Sequence, residues 1–169
     1  MLYLVRHGRP RIEPGLLPSA WELDPAGFDD IWALRESGRL PTRAHWFTSP
    51  EAKAIATAQL LTDADVGIVD ALREQVRETA DWIEHFDATV RRAFAEPEVP
   101  AYDGWEPLAV TRDRVVTVAR SLLEEHAGED LVLVGHGTAW TVLAAELTGS
   151  EPDLDRWATL GMPDVIEIG

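Results

Sequence analysis

Two short apolar runs, far apart in the chain and each closed by a histidine and a glycine, constrain this sequence more than anything else in it. Leu2 to Val5 runs into Arg6-His7-Gly8, and Leu131 to Val134 runs into Gly135-His136-Gly137. Each run is long enough for a buried strand and too short for a helix. An arginine beside a histidine is costly inside a packed core. At the carboxyl end of a strand in an open α/β sheet, the same pair faces the crevice in which such sheets bind ligands. Read singly, Arg6-His7-Gly8 is equally well a polar strand exit. Read together, two strands that deliver a histidine to one sheet edge place both imidazoles in one pocket. A helix-like stretch, Thr138 to Leu147, follows the second run directly. With a helix amino terminus behind His136 and Arg6 alongside, that pocket suits an anion, most naturally a phosphate.

Between the two runs, helical and strand patterns alternate. Residues 9 to 25 hold five of the prolines and glycines and read as an irregular loop rimming the pocket, where Arg9 and Arg11 can add positive charge. Asp24-Pro25 opens a helix over 25–37, with Phe28, Ile31, Trp32 and Leu34 as its apolar stripe. Ala44 to Phe47 is a short strand, and Ser49 is positioned to cap the next helix with Pro50 at its first position. Val66 to Val69 is a third strand. Residues 78–95 predict a helix whose Trp82, Phe86, Val90 and Phe94 recur at spacings of four and face the core, with His85 on its exposed side. Further helices are expected over 105–126, 138–148 and 153–160, and a last strand over 163–168 belongs at a sheet edge because of its proline. The alternation predicts an α/β protein, three-layer α/β/α with a mainly parallel central sheet. No repeat, low-complexity stretch or linker divides residues 1–169, so one domain is expected.

Charge narrows the ligand. Thirty acidic residues against fifteen basic ones leave a formal charge of −15, a field that repels nucleic acid and anionic membranes and speaks against either as a partner. A phosphate site must therefore be built locally against the field of the whole molecule. The chain has no cysteine, which removes disulfides and thiolate metal sites. No signal-like segment and no membrane-length apolar stretch occurs, so a cytoplasmic protein is expected. The sole lysine is Lys53, beside fourteen arginines.

At this point the sequence resembles the histidine phosphatase superfamily, the phosphoglycerate-mutase-like proteins. Leu4-Val5-Arg6-His7-Gly8 and Val134-Gly135-His136-Gly137 match its first and last motifs. Thr48-Ser49-Pro50-Glu51-Ala52-Lys53-Ala54-Ile55-Ala56-Thr57-Ala58 is similar to its Ser-Pro-x-x-Arg-Ala-x-x-Thr-Ala segment, and the three occur in the family's order. The resemblance implies that His7 attacks phosphorus and carries the phosphoryl group before water removes it. It implies that Arg6, Lys53 and His136 contact the phosphoryl oxygens; Arg9, from its place in the rim loop, is a further candidate substrate-binding residue. Leu72-Arg73-Glu74 resembles the segment bearing the family's acid, so Glu74 is the expected proton donor, with Glu78 and Glu106 as alternatives. Lys53 stands where the family usually has arginine: charge is kept, and the planar two-point grip of a guanidinium is lost.

Together these readings predict a metal-independent phosphomonoesterase that needs no cofactor and acts on a small phosphorylated metabolite or a phosphohistidine of a phosphoprotein. Mutase-type transfer through the same intermediate is the first alternative, although no insertion is evident to hold a second phosphate. A non-catalytic phospholigand-binding domain is the second, and Lys53 is its best support. Oligomeric state is not legible in the sequence.

Overall fold

The computed structural model describes residues 1–169. Its strands are β1 (Leu2–Arg6), β2 (His45–Thr48), β3 (Val66–Ile68), β4 (Leu131–Gly135) and β5 (Asp164–Ile168), in the spatial order β3-β2-β4-β1-β5. The helices are α1 (Phe28–Glu36), α2 (Ala52–Leu61), α3 (Phe86–Ala95), α4 (Leu108–Glu125), α5 (Gly137–Thr148) and α6 (Leu154–Thr159). β1, β4, β2 and β3 are parallel, and β5 runs antiparallel along the outer edge of β1.

The central position of β1 and β4 follows from their sequence. Strands that are apolar on both faces need cover on both. Their side chains alternate between two cores. Leu2, Leu4, Leu131 and Leu133 pack with Val115 and Ala119 of α4 and Trp140 and Leu143 of α5. Val5, Val132 and Val134 pack on the other face with Ile31 and Leu34 of α1 and Ala58 and Leu61 of α2. The result is the expected three-layer α/β/α sandwich, with β5 at the edge.

Three local expectations are corrected. The helix over 25–37 is a single 3-10 turn at Pro25–Gly27 followed by α1, and Trp32 is 41% exposed over Arg35 instead of buried. Pro50 lies ahead of α2, whose N-cap is Glu51, and the Ser49 hydroxyl accepts from the Glu51 amide at 3.2 Å instead of from an amide inside the helix. Most consequential, the helix over 78–95 begins only at Phe86. Residues 76–78 are instead held in extended pairing with 104–106. The Glu78 amide donates to Gly104 O at 2.7 Å, the Glu106 amide donates to Val76 O at 2.9 Å, and Arg77 bridges to Trp105. His85, exposed as expected, then adopts a left-handed backbone (φ 56°) at the start of α3. Val90 is fully buried, but Trp82 is 80% exposed and Phe86 41%.

Candidate active site

Strand register assembles the site. Arg6 lies opposite Gly135, so β1 and β4 release His7 and His136 at the same height. The His7 amide extends the ladder to Gly135 O at 2.8 Å, and the Ser49 amide at the end of β2 does the same to Val134 O at 2.9 Å. The two imidazoles meet edge to face with centroids 5.2 Å apart. Two glycines make room. A Cβ on Gly8 would sit 2.6 Å from Ile31 Cδ1, and one on Gly137 would press on Arg6 Nε at 3.3 Å. The Gly8 amide donates to Thr57 Oγ1 at 2.9 Å, and that hydroxyl donates to Lys53 O at 2.7 Å, which pins the strand exit to α2.

His7 is held in one tautomer. Its Nδ1 lies 2.7 Å from Gly8 O, and a carbonyl only accepts, so Nδ1 carries the proton and Nε2 keeps its lone pair. Burial pushes its pKa well below the usual histidine value, and His136 and Lys53 push it further. Arg6, its neighbour in sequence, lowers it too, but by less than burial, His136 or Lys53. A neutral imidazole with a free Nε2 is a nucleophile at neutral pH.

His136 is buried at the amino terminus of α5, with Nε2 2.7 Å from Ser49 Oγ and 3.4 Å from Glu51 Oε1. Burial lowers its pKa to about 3 against the opposing charge of Glu74. Glu51 is a residue the sequence reading did not single out. It sits at an x position of the Ser-Pro-x-x segment, and only the start of α2 behind it reveals that it is buried. Burial raises its pKa although Lys53 opposes the shift. Lys53 is 4% exposed, and its ammonium donates to the Glu51 carboxylate and, at 2.7 Å, to Pro18 O.

Glu74 accepts from the Thr138 and Ala139 amides at 3.1 and 2.9 Å, at the amino end of α5. Burial alone would raise its pKa, but Arg77, His136 and the Gln75 and Thr138 amides outweigh burial and hold it below the usual carboxylate range. In the free protein Glu74 is therefore ionised. Arg77 was also missed, because nothing periodic marks it. Its guanidinium donates to Thr138 Oγ1 at 3.0 Å and to Gln75 Oε1 at 3.2 Å. Arg6 donates to Leu160 O at 2.6 Å, while its buried Nε has no protein partner. An unpartnered buried donor in a polar pocket calls for a ligand.

Arg6, His7, Arg9, Lys53, Glu74 and His136 all line one cavity of about 670 Å³. Arg9 is half-exposed at its rim and paired with Asp24 at 3.3 Å. Arg11 lies off the cavity, paired with Glu13 and Glu22. Of the alternative acids, Glu78 lines the cavity in contact with solvent. Glu106 does not line it and is instead fastened by Arg114 at 2.6 Å, Thr111 Oγ1 at 2.7 Å and the Val76 amide at 2.9 Å. These bonds make it a structural tether. One triad of metal-ligating type, His45, His126 and Glu129, brings its ligand atoms within 4.8 Å of one another, at the amino end of the sheet and remote from this cavity. No helix is long and apolar enough to cross a membrane.

Comparison with known proteins matches residues 2–166 to a family described as the histidine phosphatase superfamily (branch 1). Among solved structures, YhfR of Bacillus stearothermophilus is 22% identical, with a TM-score of 0.75 over 99% of this chain and 91% of that one. A mycobacterial glucosyl-3-phosphoglycerate phosphatase solved with VO3 is 26% identical, with a TM-score of 0.69 over 95% and 85% of the two chains. A phosphoserine phosphatase variant of Entamoeba histolytica in complex with phosphoserine is 18% identical, with a TM-score of 0.70 over 99% and 85%. No curated protein sequence matches the chain.

Proposed function

The chain belongs to the histidine phosphatase superfamily, and on that premise we propose that it hydrolyses small phosphomonoesters through a phosphohistidine formed on His7. The observation that carries this reading is the state of His7: buried, neutral, with Nδ1–H fixed on Gly8 O and Nε2 free. In the first step the Nε2 lone pair forms the N–P bond as the ester P–O bond breaks, and a carboxyl group gives its proton to the departing alkoxide. In the second, water attacks phosphorus, its proton passes to the same carboxylate, and the N–P bond breaks to release phosphate. Arg6 and Lys53 supply cationic donors aimed at charge already in place, and neutral His136 can add an N–H. Arg9 attracts the substrate from the rim.

Glu74 is the proposed proton donor. Its depressed pKa rises when a phosphate dianion arrives beside it, because a like charge favours the protonated acid. Glu51 is the second reading, favoured by a pKa that burial already raises in the free protein. Whichever carboxyl fills the role gives its proton in the first step and, then ionised, accepts the proton of water in the second.

Phosphate release from a broad panel of monoesters, in the presence of a chelator, tests the function. Turnover on some esters that His7→Ala abolishes is the expected result. A fully folded protein that releases phosphate from none of them would leave only the phospholigand-binding reading. Conversion of a phosphorylated sugar acid to its isomer without net phosphate release would indicate a mutase.

A further inference from the structure

Beside the phosphate cavity lies a second one of about 380 Å³, and the two share Ile12, Pro18, Trp21, Arg77 and Phe86 as walls. Trp82, Ile83 and Trp105 close its far side. This is also where the molecule shows much of its apolar surface to water: Trp82 is 80% exposed, Ile12 53% and Phe86 41%. An apolar patch of this kind on a strongly acidic chain marks a binding surface. Its one cation is already committed. The Arg77 guanidinium is hydrogen-bonded to Gln75 and Thr138 and lies 4.3 Å from the Trp105 ring centroid and 5.1 Å from that of Phe86. No free positive group remains there to hold a carboxylate, and Asp81 adds a negative one. One polar demand is unmet: the indole N–H of Trp105, a residue 3% exposed, has no acceptor.

We propose that this groove holds the alcohol half of the substrate, and that this half is an aromatic ring system bearing a hydrogen-bond acceptor and no carboxylate. The inference rests on the phosphatase reading above and adds the substrate class. Continuity with the phosphate cavity commits the groove to the leaving group, since an ester seated at His7 extends its alcohol past Arg77 and Phe86. Aromatic walls favour a flat ring by stacking and by apolar burial. A buried donor left unpaired is satisfied when the ligand brings an acceptor.

The test compares two alkyl phosphates, quinolinylethyl phosphate and phosphoserine, so that the reacting carbon–oxygen chemistry stays alike. The ratio of their kcat/KM values is expected to favour the quinoline ester by roughly ten- to a hundredfold, the scale of burying one aromatic ring. Trp82→Ala removes an exposed side chain without touching the core, and it is expected to collapse that ratio towards parity. Trp32→Ala, at a partly exposed tryptophan on α1 outside both cavities, is expected to leave it unchanged. Turnover of both esters at similar kcat/KM, or a ratio that survives Trp82→Ala, overturns the inference and leaves the phosphatase reading standing. Absence of turnover on every ester would overturn the phosphatase reading, and this inference with it.

Discussion

The two ends of the same sheet treat histidine in opposite ways. At the carboxyl end, His7 and His136 are buried edge to face in a pocket whose dryness keeps both neutral. At the amino end, His45 and His126 stack with centroids 4.0 Å apart in partial contact with water. There His45 Nε2 lies 2.9 Å from Glu129, whose carboxylate is held below its usual range by that hydrogen bond and by the charge of His45. Residue type is the same at both ends; burial and the neighbouring backbone decide what the imidazole does. Only the carboxyl end adds a fixed tautomer, an unpartnered arginine donor and two carboxyls of opposite pKa shift.

Substitutions should separate the ends sharply. His7→Ala is expected to lower kcat by about a thousandfold or more, as loss of a nucleophile does, whereas His45→Ala leaves turnover alone. A His45 variant as inactive as the His7 variant would erase the distinction. Glu74→Gln should slow alkyl phosphates by roughly a hundredfold and para-nitrophenyl phosphate much less, because only a basic leaving oxygen needs the proton. If Glu51→Gln shows that leaving-group dependence instead, the donor is Glu51. Lys53→Ala is expected to reduce kcat/KM by about tenfold, below the range for a fully committed donor because Glu51 and Pro18 share its ammonium. Lys53→Arg should keep or improve activity, and wild-type kinetics for the alanine variant would make Lys53 a packing residue only.

Acidity should sharpen the contrast further. His7 and His136 have folded pKa values below the unfolded value of about 6.5, so the unfolded chain binds more protons in acid. Their contribution to stability is complete above that pH and is lost as pH falls from there towards about 3 for His136. Each group adds up to ~1.4 kcal/mol per pH unit to that slope. Denaturation midpoints measured from neutral pH downward should show the loss, and His136→Ala should flatten it. A slope unaffected by that substitution would mean the imidazole is not held neutral. Smallest of all, His45→Ala should barely move the denaturation midpoint, since exposed ion pairs contribute little.

Much of the carboxyl end was legible in the sequence. Strands ending in His-Gly, the order of the motifs and the alternation of helix and strand located Arg6, His7, Lys53, Glu74 and His136. The rest depended on contacts that local pattern does not encode. Trp82, Phe86, Val90 and Phe94 keep a helical spacing, but pairing of 76–78 with 104–106 takes the chain out of helix before Phe86, and the first two side chains turn to solvent. Glu51 reads as a surface residue until β4 places His136 beside it. Arg77 sits in an irregular segment with no periodicity to expose it. Nor does adjacency in sequence reveal the leading cause of the His7 shift: burial dominates, and the neighbouring Arg6 ranks behind His136 and Lys53.

In this mechanism His7 carries the phosphoryl group. Rapid mixing with a labelled phosphomonoester, an alkaline quench and peptide mapping test it directly. The expected result is acid-labile, base-stable label on the peptide containing His7, absent from His7→Ala. Label on the peptide containing His136, label that survives acid, or full turnover by the His7 variant would contradict it.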